Sequence, residues 1–578
     1  MKKFFKMVLA VMCGMLLMWV LGFVILISIA GAASGGKGTV IPESGVLALD
    51  MSAIAITEQS NPSDPMAAIQ GKDVVQIGLY KAVQAIHAAA ADPGVKFIFL
   101  RTDGNSTSIT HLQELRRALA DFRKEGKAVV AYTETPGTAS YYLASVADKV
   151  YISSYDGVTV TINGISAQSM YFKDLLDRLG VNVQLIRHGK YKSAGEMFVR
   201  NSPSAENKEQ YERMVKSMWE SISGEIAESR GISVAALNAM VDGLELCLPQ
   251  DLMDKGLVDG VLNRSELKEK LADLAVEDRF KDVKFIPFDA YADAKVLPNF
   301  RARKKIAVIY AEGDIVDGKD IQNIAGDRFA SIIDKVRSDS TVKAVVLRVN
   351  SPGGSSMASD KIKHELDLLS AVKPLAASYG DYAASGGYWI SHNCDKIFSC
   401  PTTLTGSIGV FGMIPDFSRT AKDVLHVGVY TAMSNKHGDM WSVMRPFDAA
   451  EYNYMLRCIE NTYDKFTSIV AEGRSLDKAY VDEIGQGRVW TGADALNIGL
   501  VDELGTLEDA ISWAAAASGD ADLANWQIAE YPKPLTEMES ILVSLGKKLE
   551  PDEYVKARVA ELAKPQVIAR MPYQVTIL

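Results

Sequence analysis

The chain has 578 residues, of which 48% are hydrophobic and 23% charged, a balance that excludes wholesale disorder and collagen-like structure and is too large for one small domain. Its net charge is −10 and its basic stretches are short, which argues against a phosphate-tracking surface and so against nucleic acid as a partner. Cys13, Cys247, Cys394, Cys400 and Cys458 form no CxxC pair, so neither a disulfide framework nor a zinc site is indicated, and no metal or cofactor is expected.

The first element in chain order is apolar. No charged residue occurs in 7–36, and 8–29 alone is about the length that spans bilayer hydrocarbon. Lys2, Lys3 and Lys6 precede it and no positive charge follows until Lys37, so the positive-inside rule keeps 1–6 in the cytoplasm and sends the remainder across. We read 7–30 as a single-pass transmembrane anchor in contact with membrane lipid. A cleaved signal peptide is disfavoured because the apolar core is longer than such a segment requires. Residues 31–44 read as a linker.

The body repeats itself. DPGVKFIFLR at Asp92 matches DSTVKAVVLR at Asp339, an offset of 247, and Asp148-Lys149 matches Asp395-Lys396 in the same register. Residues 45–290 form the first repeat, 291–303 a linker, 304–530 the second repeat and 531–578 a tail. Each half alternates β-branched runs with amphipathic segments, the pattern of an α/β fold whose strands cross over through helices. In the second half, 306–310, 344–349, 375–378 and 396–399 read as buried strands. Phe329, Ile332, Ile333 and Val336, and then Ile362, Leu366 and Leu369, read as helix faces packed on a sheet.

Two Gly-rich turns in the second half are candidates for chemistry. LRVNSPGGSS turns through Pro352, Gly353 and Gly354, where missing Cβ atoms let backbone N–H groups approach a ligand. YGDYAASGGYWIS sets Ser385 among small residues at a helix entry, the geometry an acyl-transfer nucleophile with an oxyanion hole requires. From the residues alone, two tight turns with Ser385 as a helix cap remain equally open. A serine needs a base. His87, His111, His188, His364, His392, His426 and His437 are scattered without a triad arrangement and read as solvated or packed. A neutral lysine is the alternative, and RHGKYKSAGEMF carries Lys190 and Lys192 after the strand-like VNVQLI. Such an amine must lose roughly two or more pKa units by burial, about 1.36 kcal/mol each, and spacing alone leaves open that both lysines are on the surface.

GKYKSA at Gly189, LRVNSPGGS at Leu347, AASGGYWIS at Ala383, TLTGSIGVFG at Thr403 and GRVWTGADALNIGLVDELG at Gly487 occur in that order behind the apolar N-terminus. Together they resemble the signal peptide peptidase A (protease IV) family of bacterial serine peptidases, in its long membrane-anchored form. The resemblance spans nearly the whole chain. It implies two tandem Clp/crotonase-type domains built as ββα spirals behind one transmembrane helix. It also implies a homotetramer in the bacterial inner membrane, with its catalytic domains on the periplasmic side, hydrolysing cleaved signal peptides and other apolar unfolded peptides. By resemblance Ser385 is the nucleophile, Lys192 the general base, Gly354 and Gly386 the oxyanion donors with Gly353 shaping their loop, and Ser407 the group that orients the lysine.

The repeat tests this assignment. At the 247 offset Ser385 falls on Thr138, Gly386 on Ala139, Gly353 on Ser106 and Gly354 on Thr107, so the first half lacks the nucleophile and its loop. Conversely SNKHGDMWS in the second half lacks a counterpart of YKSA, though Lys436 keeps the position of Lys190. The dyad must therefore be assembled across closely packed halves, within one chain or between neighbours. An apolar substrate groove near Tyr388, Trp389, Ile408 and Phe411 is one expectation, and for each aromatic a place in the core is at least as well supported. Two other classes were weighed: an acyl-CoA hydratase or isomerase, which needs acidic catalysts, and a non-catalytic membrane scaffold, in which decayed motifs would be expected.

Overall fold

The computed structural model describes residues 41–60, 74–534 and 568–570, together with 14, 15 and 18. Most of the expected anchor and most of the tail lie outside the described residues, and no helix among the described residues is long and apolar enough to cross a membrane.

The strands of the first half are β1 (Gly45–Asp50), β2 (Ile54–Thr57), β3 (Val75–Gly78), β4 (Val95–Arg101), β5 (Val129–Thr133), β6 (Lys149–Ser153), β7 (Asn182–His188), β8 (Gly260–Leu262) and β9 (Phe285–Pro287). Six of them form a parallel sheet in the order β8-β6-β5-β4-β1-β9. Near-continuous apolar strands such as Val95–Arg101 suit a parallel sheet because both faces are covered. Helices Leu79–Ala91 and Ile109–Lys124 cover one face; Leu267, Leu271 and Ala275 of helix Arg264–Ala275 cover the other.

The second half supplies β10 (Lys304–Glu312), β11 (Ile315–Val316), β12 (Ile324–Ala325), β13 (Val342–Ser351), β14 (Gly353–Ser355), β15 (Leu375–Ala384), β16 (Lys396–Ser399), β17 (Leu404–Gly406), β18 (Val410–Asp416), β19 (Val489–Thr491), β20 (Glu503–Leu504) and β21 (Trp526–Tyr531); β22 (Ile568–Arg570) follows. Its main sheet runs β19-β17-β15-β13-β10-β21, with β16 beside β15 and β20 beside β16. Helices Gly326–Ser338 and Ser356–Ser370 pack on one face and Leu507–Ala517 on the other, repeating the layering of the first half. The expected strands and both helix stripes occur; three strands lie at or within two residues of their expected limits, while β15 runs six residues past 378, up to the residue before Ser385. The repeat is structural too: β4 and β13 start at Val95 and Val342, and β6 and β16 at Lys149 and Lys396, both 247 apart. The expected linker 291–303 begins as structure, because helix Phe288–Lys295 continues past residue 290 and buries Tyr291 and Ala292 in the first half's core.

A third sheet, β12-β11-β14-β22-β18-β7, joins the halves. In it β7 of the first half runs antiparallel to β18 of the second along seven residue pairs, from Asn182 opposite Asp416 to His188 opposite Val410. Outside this sheet the halves meet through Arg213–Asp494, Gln84–Glu508 and Ser217–Thr491. A buried group of Glu58, His111 and Glu114 from the first half closes around Arg348 on β13.

Candidate active site

The β7–β18 ladder is what delivers the lysine. β7 ends at His188, and the following turn brings Lys192 into the second half, where it is 0% exposed. The seat is made by close backbone approach. Tyr191 N donates to the Gln486 carbonyl, and a Cβ on Gly487 would lie 2.5 Å from Lys192 Cβ, so only glycine fits there, at φ +81°. Arg187 buttresses the turn from behind, donating to the Lys192 carbonyl at 2.7 Å and to the buried Glu196 carboxylate at 3.0 Å.

Ser385 ends β15 and opens helix Gly386–Ser391. Its φ of +55° is a conformation that non-glycine residues rarely adopt, at a cost of roughly 1–3 kcal/mol. The surrounding backbone holds it there: Ser385 N donates to the Gly406 carbonyl and Ser385 O accepts from Trp389 N, both at 2.8 Å. Ser407, at φ +49°, follows β17 and donates its N–H to the Arg488 carbonyl at 2.7 Å. Two side chains are thus held in strained backbone by the same small region.

Lys192 Nζ lies 2.8 Å from Ser385 Oγ, 3.0 Å from Ser407 Oγ and 3.1 Å from the Ser407 carbonyl. All three neighbours are uncharged. Burial with no compensating anion pushes the amine well below the ordinary lysine range. A neutral amine has two N–H donors and one lone pair, and three contacts use them fully. The Ser407 hydroxyl donates onward to the Gly487 carbonyl at 3.3 Å, so its oxygen can accept from Nζ. With both N–H groups directed to Ser407, the lone pair is left for the Ser385 hydroxyl proton.

Gly354 lies on β14, paired in parallel with Ile315 of β11, and a Cβ there would stand 2.0 Å from the Ile315 carbonyl oxygen. The N–H of Gly386 belongs to a first helical turn and has no intrahelical partner. Gly387 packs so close to the Ser351 carbonyl that its own Cβ would be 2.7 Å away, which ties the helix of Ser385 to the loop of Gly353 and Gly354. Along the free edge of that loop runs β22: Gly353, Gly354 and Ser355 pair antiparallel with Arg570, Ala569 and Ile568, and residue 568 also pairs with Phe411 of β18.

The rival bases are elsewhere. Lys190 is exposed with Nζ 5.3 Å from the Tyr191 ring centre, and Lys436 is exposed. Among the histidines, His111 is committed to Glu58, and His392 is buried, its basicity pushed down to about 3 by that burial. Tyr388, Trp389 and Ile408 do not form the expected groove. Tyr388 donates to the Leu500 carbonyl, Trp389 packs against Phe466 with the rings tilted and their centres 4.6 Å apart, and both, with Ile408, fill the second half's core. They face inward because helix Gly386–Ser391 is buried along its whole length. Arg187 and Glu196 lie within RHGKYKSAGEMF without a role legible there, and the partners of Arg348 carried no motif; these roles emerge from the structure alone.

The chain matches peptidase family S49 over residues 121–277 and 367–520, segments that contain Lys192 and Ser385 respectively. It is 34% identical to Protease 4 of Haemophilus influenzae over 96% of this chain and 93% of that protein. Protease 4 of Salmonella typhi is 33% identical over 81% of this chain and 76% of its own length. The chloroplastic serine protease SPPA of Arabidopsis thaliana is 29% identical over 79% of this chain and 68% of its own.

Proposed function

The chain belongs to peptidase family S49 and is a serine peptidase, and from that premise we propose a membrane-anchored endopeptidase that degrades cleaved signal peptides and other apolar unfolded peptides with a Ser385/Lys192 dyad. The observation that carries the reading is the buried amine of Lys192, 2.8 Å from Ser385 Oγ with no charged group to hold its proton. In this reading Nζ takes the hydroxyl proton as Oγ attacks the scissile carbonyl, and the N–H groups of Gly354 and Gly386 receive the oxyanion. The protonated lysine then gives its proton to the leaving amine, and water, activated by the same lysine, releases the acyl group. A peptide would enter by adding as a strand to the edge of β14, a mode supported by the chain's own segment 568–570 seated there.

We also propose that 7–30 anchors the protein with its body on the periplasmic side, where tethering would raise the local concentration of released apolar peptides. Each half is read as a Clp/crotonase-type domain, a reading supported in the second half by the order β10, β11, the two-residue β12 and helix Gly326–Ser338, then β13, β14 and helix Ser356–Ser370. Four such chains would form the proposed homotetramer.

The pH dependence of cleavage tests this. The base works only as free amine, and burial depresses its proton affinity, so the rate on an unfolded apolar peptide should rise with pH as Lys192 loses its proton and level off far below the ordinary lysine value of about 10.4. A rate that goes on climbing up to that value contradicts the buried lysine base. A second expectation concerns the oxyanion loop. Gly354→Ala forces β14 away from the Ile315 carbonyl, so kcat/KM should fall about 100-fold, the effect of displacing a reacting group by about 1 Å. A change under twofold would place the oxyanion donor elsewhere.

A further inference from the structure

The third sheet contains a slot one strand wide. One wall is β14, with Gly353 and Gly354; the other is β18, which begins three residues after Ser407. β22 fills the slot, paired to both walls. A peptide that reaches Ser385 by strand addition must enter the same slot, so the chain's own segment and a substrate compete for one set of backbone groups.

The register across this sheet points to a particular side chain. Ile315 stands opposite Gly354 in parallel pairing, which aligns the preceding residue, Asp314, with Gly353. Arg570 stands opposite Gly353 on the other side. Asp314, Gly353 and Arg570 therefore share one row across three strands, and residues in one row project to the same face. The outer two are two strand spacings apart, about 10 Å, too far for short side chains to meet. Because the middle position is glycine, nothing stands between them. The long arginine crosses over Gly353 and its Nη2 lies 3.1 Å from Asp314 Oδ2. Asp317 adds a second carboxylate on this rim, where it accepts from Ser355 Oγ at 2.9 Å.

We propose that Asp314 is a specificity-determining residue that receives a Lys or Arg side chain of the bound peptide, and that Arg570 occupies this seat when no substrate is present. The proposal rests on the peptidase reading above, and it adds a charge requirement to a substrate class otherwise defined by apolarity. The only peptide position favoured is the one lying over Gly353.

The test uses the full chain carrying Ser385→Ala and fluorescently labelled ten-residue apolar peptides in which a single Arg is stepped along the sequence. One Arg position should tighten binding about two- to fivefold, the scale of a partly exposed ion pair. Asp314→Lys should erase that gain and transfer it to the peptide with Glu at the same position. Arg570→Glu should tighten binding of every peptide by weakening the internal competitor, and Asp314→Lys combined with Arg570→Glu should restore the competition. Binding independent of Arg position, or unaltered by Asp314→Lys, overturns the proposal. Cleavage by the unsubstituted chain separates the two readings: cleavage without charge preference removes Asp314 alone, whereas absence of cleavage removes the peptidase reading with it.

Discussion

Lys192→Met is expected to abolish peptide cleavage and, at neutral pH, to make the protein more stable. Loss of the base should lower kcat/KM roughly 10⁴-fold or more, about as much as Ser385→Ala, because a nucleophile and its base act as a unit. The gain in stability follows from the burial of the amine. Unfolded, Lys192 holds a proton up to about pH 10.4. Folded, it holds one only below its depressed value. Between those limits the unfolded chain binds the extra proton, so native stability rises with pH, and at pH 7 the native state carries a penalty. Methionine fills the same space without that penalty. The Ser407 hydroxyl keeps its acceptor at the Gly487 carbonyl, while the Ser407 carbonyl and the Ser385 hydroxyl lose their contacts with Nζ, which offsets part of the gain. The penalty removed amounts to about 1.4 kcal/mol for each pKa unit by which burial depresses the amine below pH 7. The check is a urea titration of both chains from pH 7 to 10. The Lys192→Met chain should lead at pH 7, and the gap should close as pH rises. Equal stability at pH 7 with no slope would mean that the amine is charged in the folded protein, and retained cleavage would mean that the base lies elsewhere.

Much of this site could be read from the sequence, and the reason is physical. The close backbone approaches that seat Lys192 and shape the loop of Gly353 and Gly354 admit only glycine, so Gly354 and Gly487 stand inside recognisable motifs. The repeat showed that serine and lysine fall in different halves, which required their packing. The structure adds that both belong to one chain, because β7 and β18 share a ladder. What could not be read is whatever depends on distant partners without a motif. Tyr388 and Trp389 follow Ser385 in a segment whose sequence suits a groove and a core equally, because periodicity over six residues cannot distinguish a helix face turned toward substrate from one turned to the core. Arg348 is a sharper case. It occupies the same place in the repeat as Arg101, which is partly exposed and pairs with Asp50 at 3.4 Å. Arg348 is 1% exposed, and its acidic partners lie more than 230 residues earlier in the chain.

That difference makes Arg348→Met the second large expectation. Arg348 Nε donates to Glu58 Oε2 at 2.8 Å, its Nη1 donates to Ser378 Oγ at 2.8 Å, and its Nη2 lies 2.8 Å from Glu114 Oε1 without hydrogen-bond alignment. His111 Nε2 approaches the second Glu58 oxygen at 3.0 Å. Burial alone would raise the Glu58 carboxyl, but Arg348 and His111 outweigh it and bring it down to about 2. Burial alone would lower His111, and Glu58 instead raises it to about 9. The stabilising share of His111 is therefore complete below its unfolded value near 6.5 and lost as pH rises through about 9, while that of Glu58 is complete above about 4.5 and lost as pH falls toward 2. Removing the guanidinium leaves two carboxyls buried against one imidazolium, a loss of roughly 3–5 kcal/mol. Glu58→Gln added to Arg348→Met should recover part of it, since the two residues are in contact and their effects do not add. Activity should fall as well. Arg348 sits three residues before Ser351 on the strand that leads to Gly353 and Gly354, and its partners belong to the half that supplies Lys192. If the ion group sets how the halves dock, kcat at a temperature where the variant is fully folded should drop along with its urea midpoint. If kcat is unchanged there, docking is set by the seven-pair ladder between β7 and β18, and the ion group contributes stability without positioning the dyad.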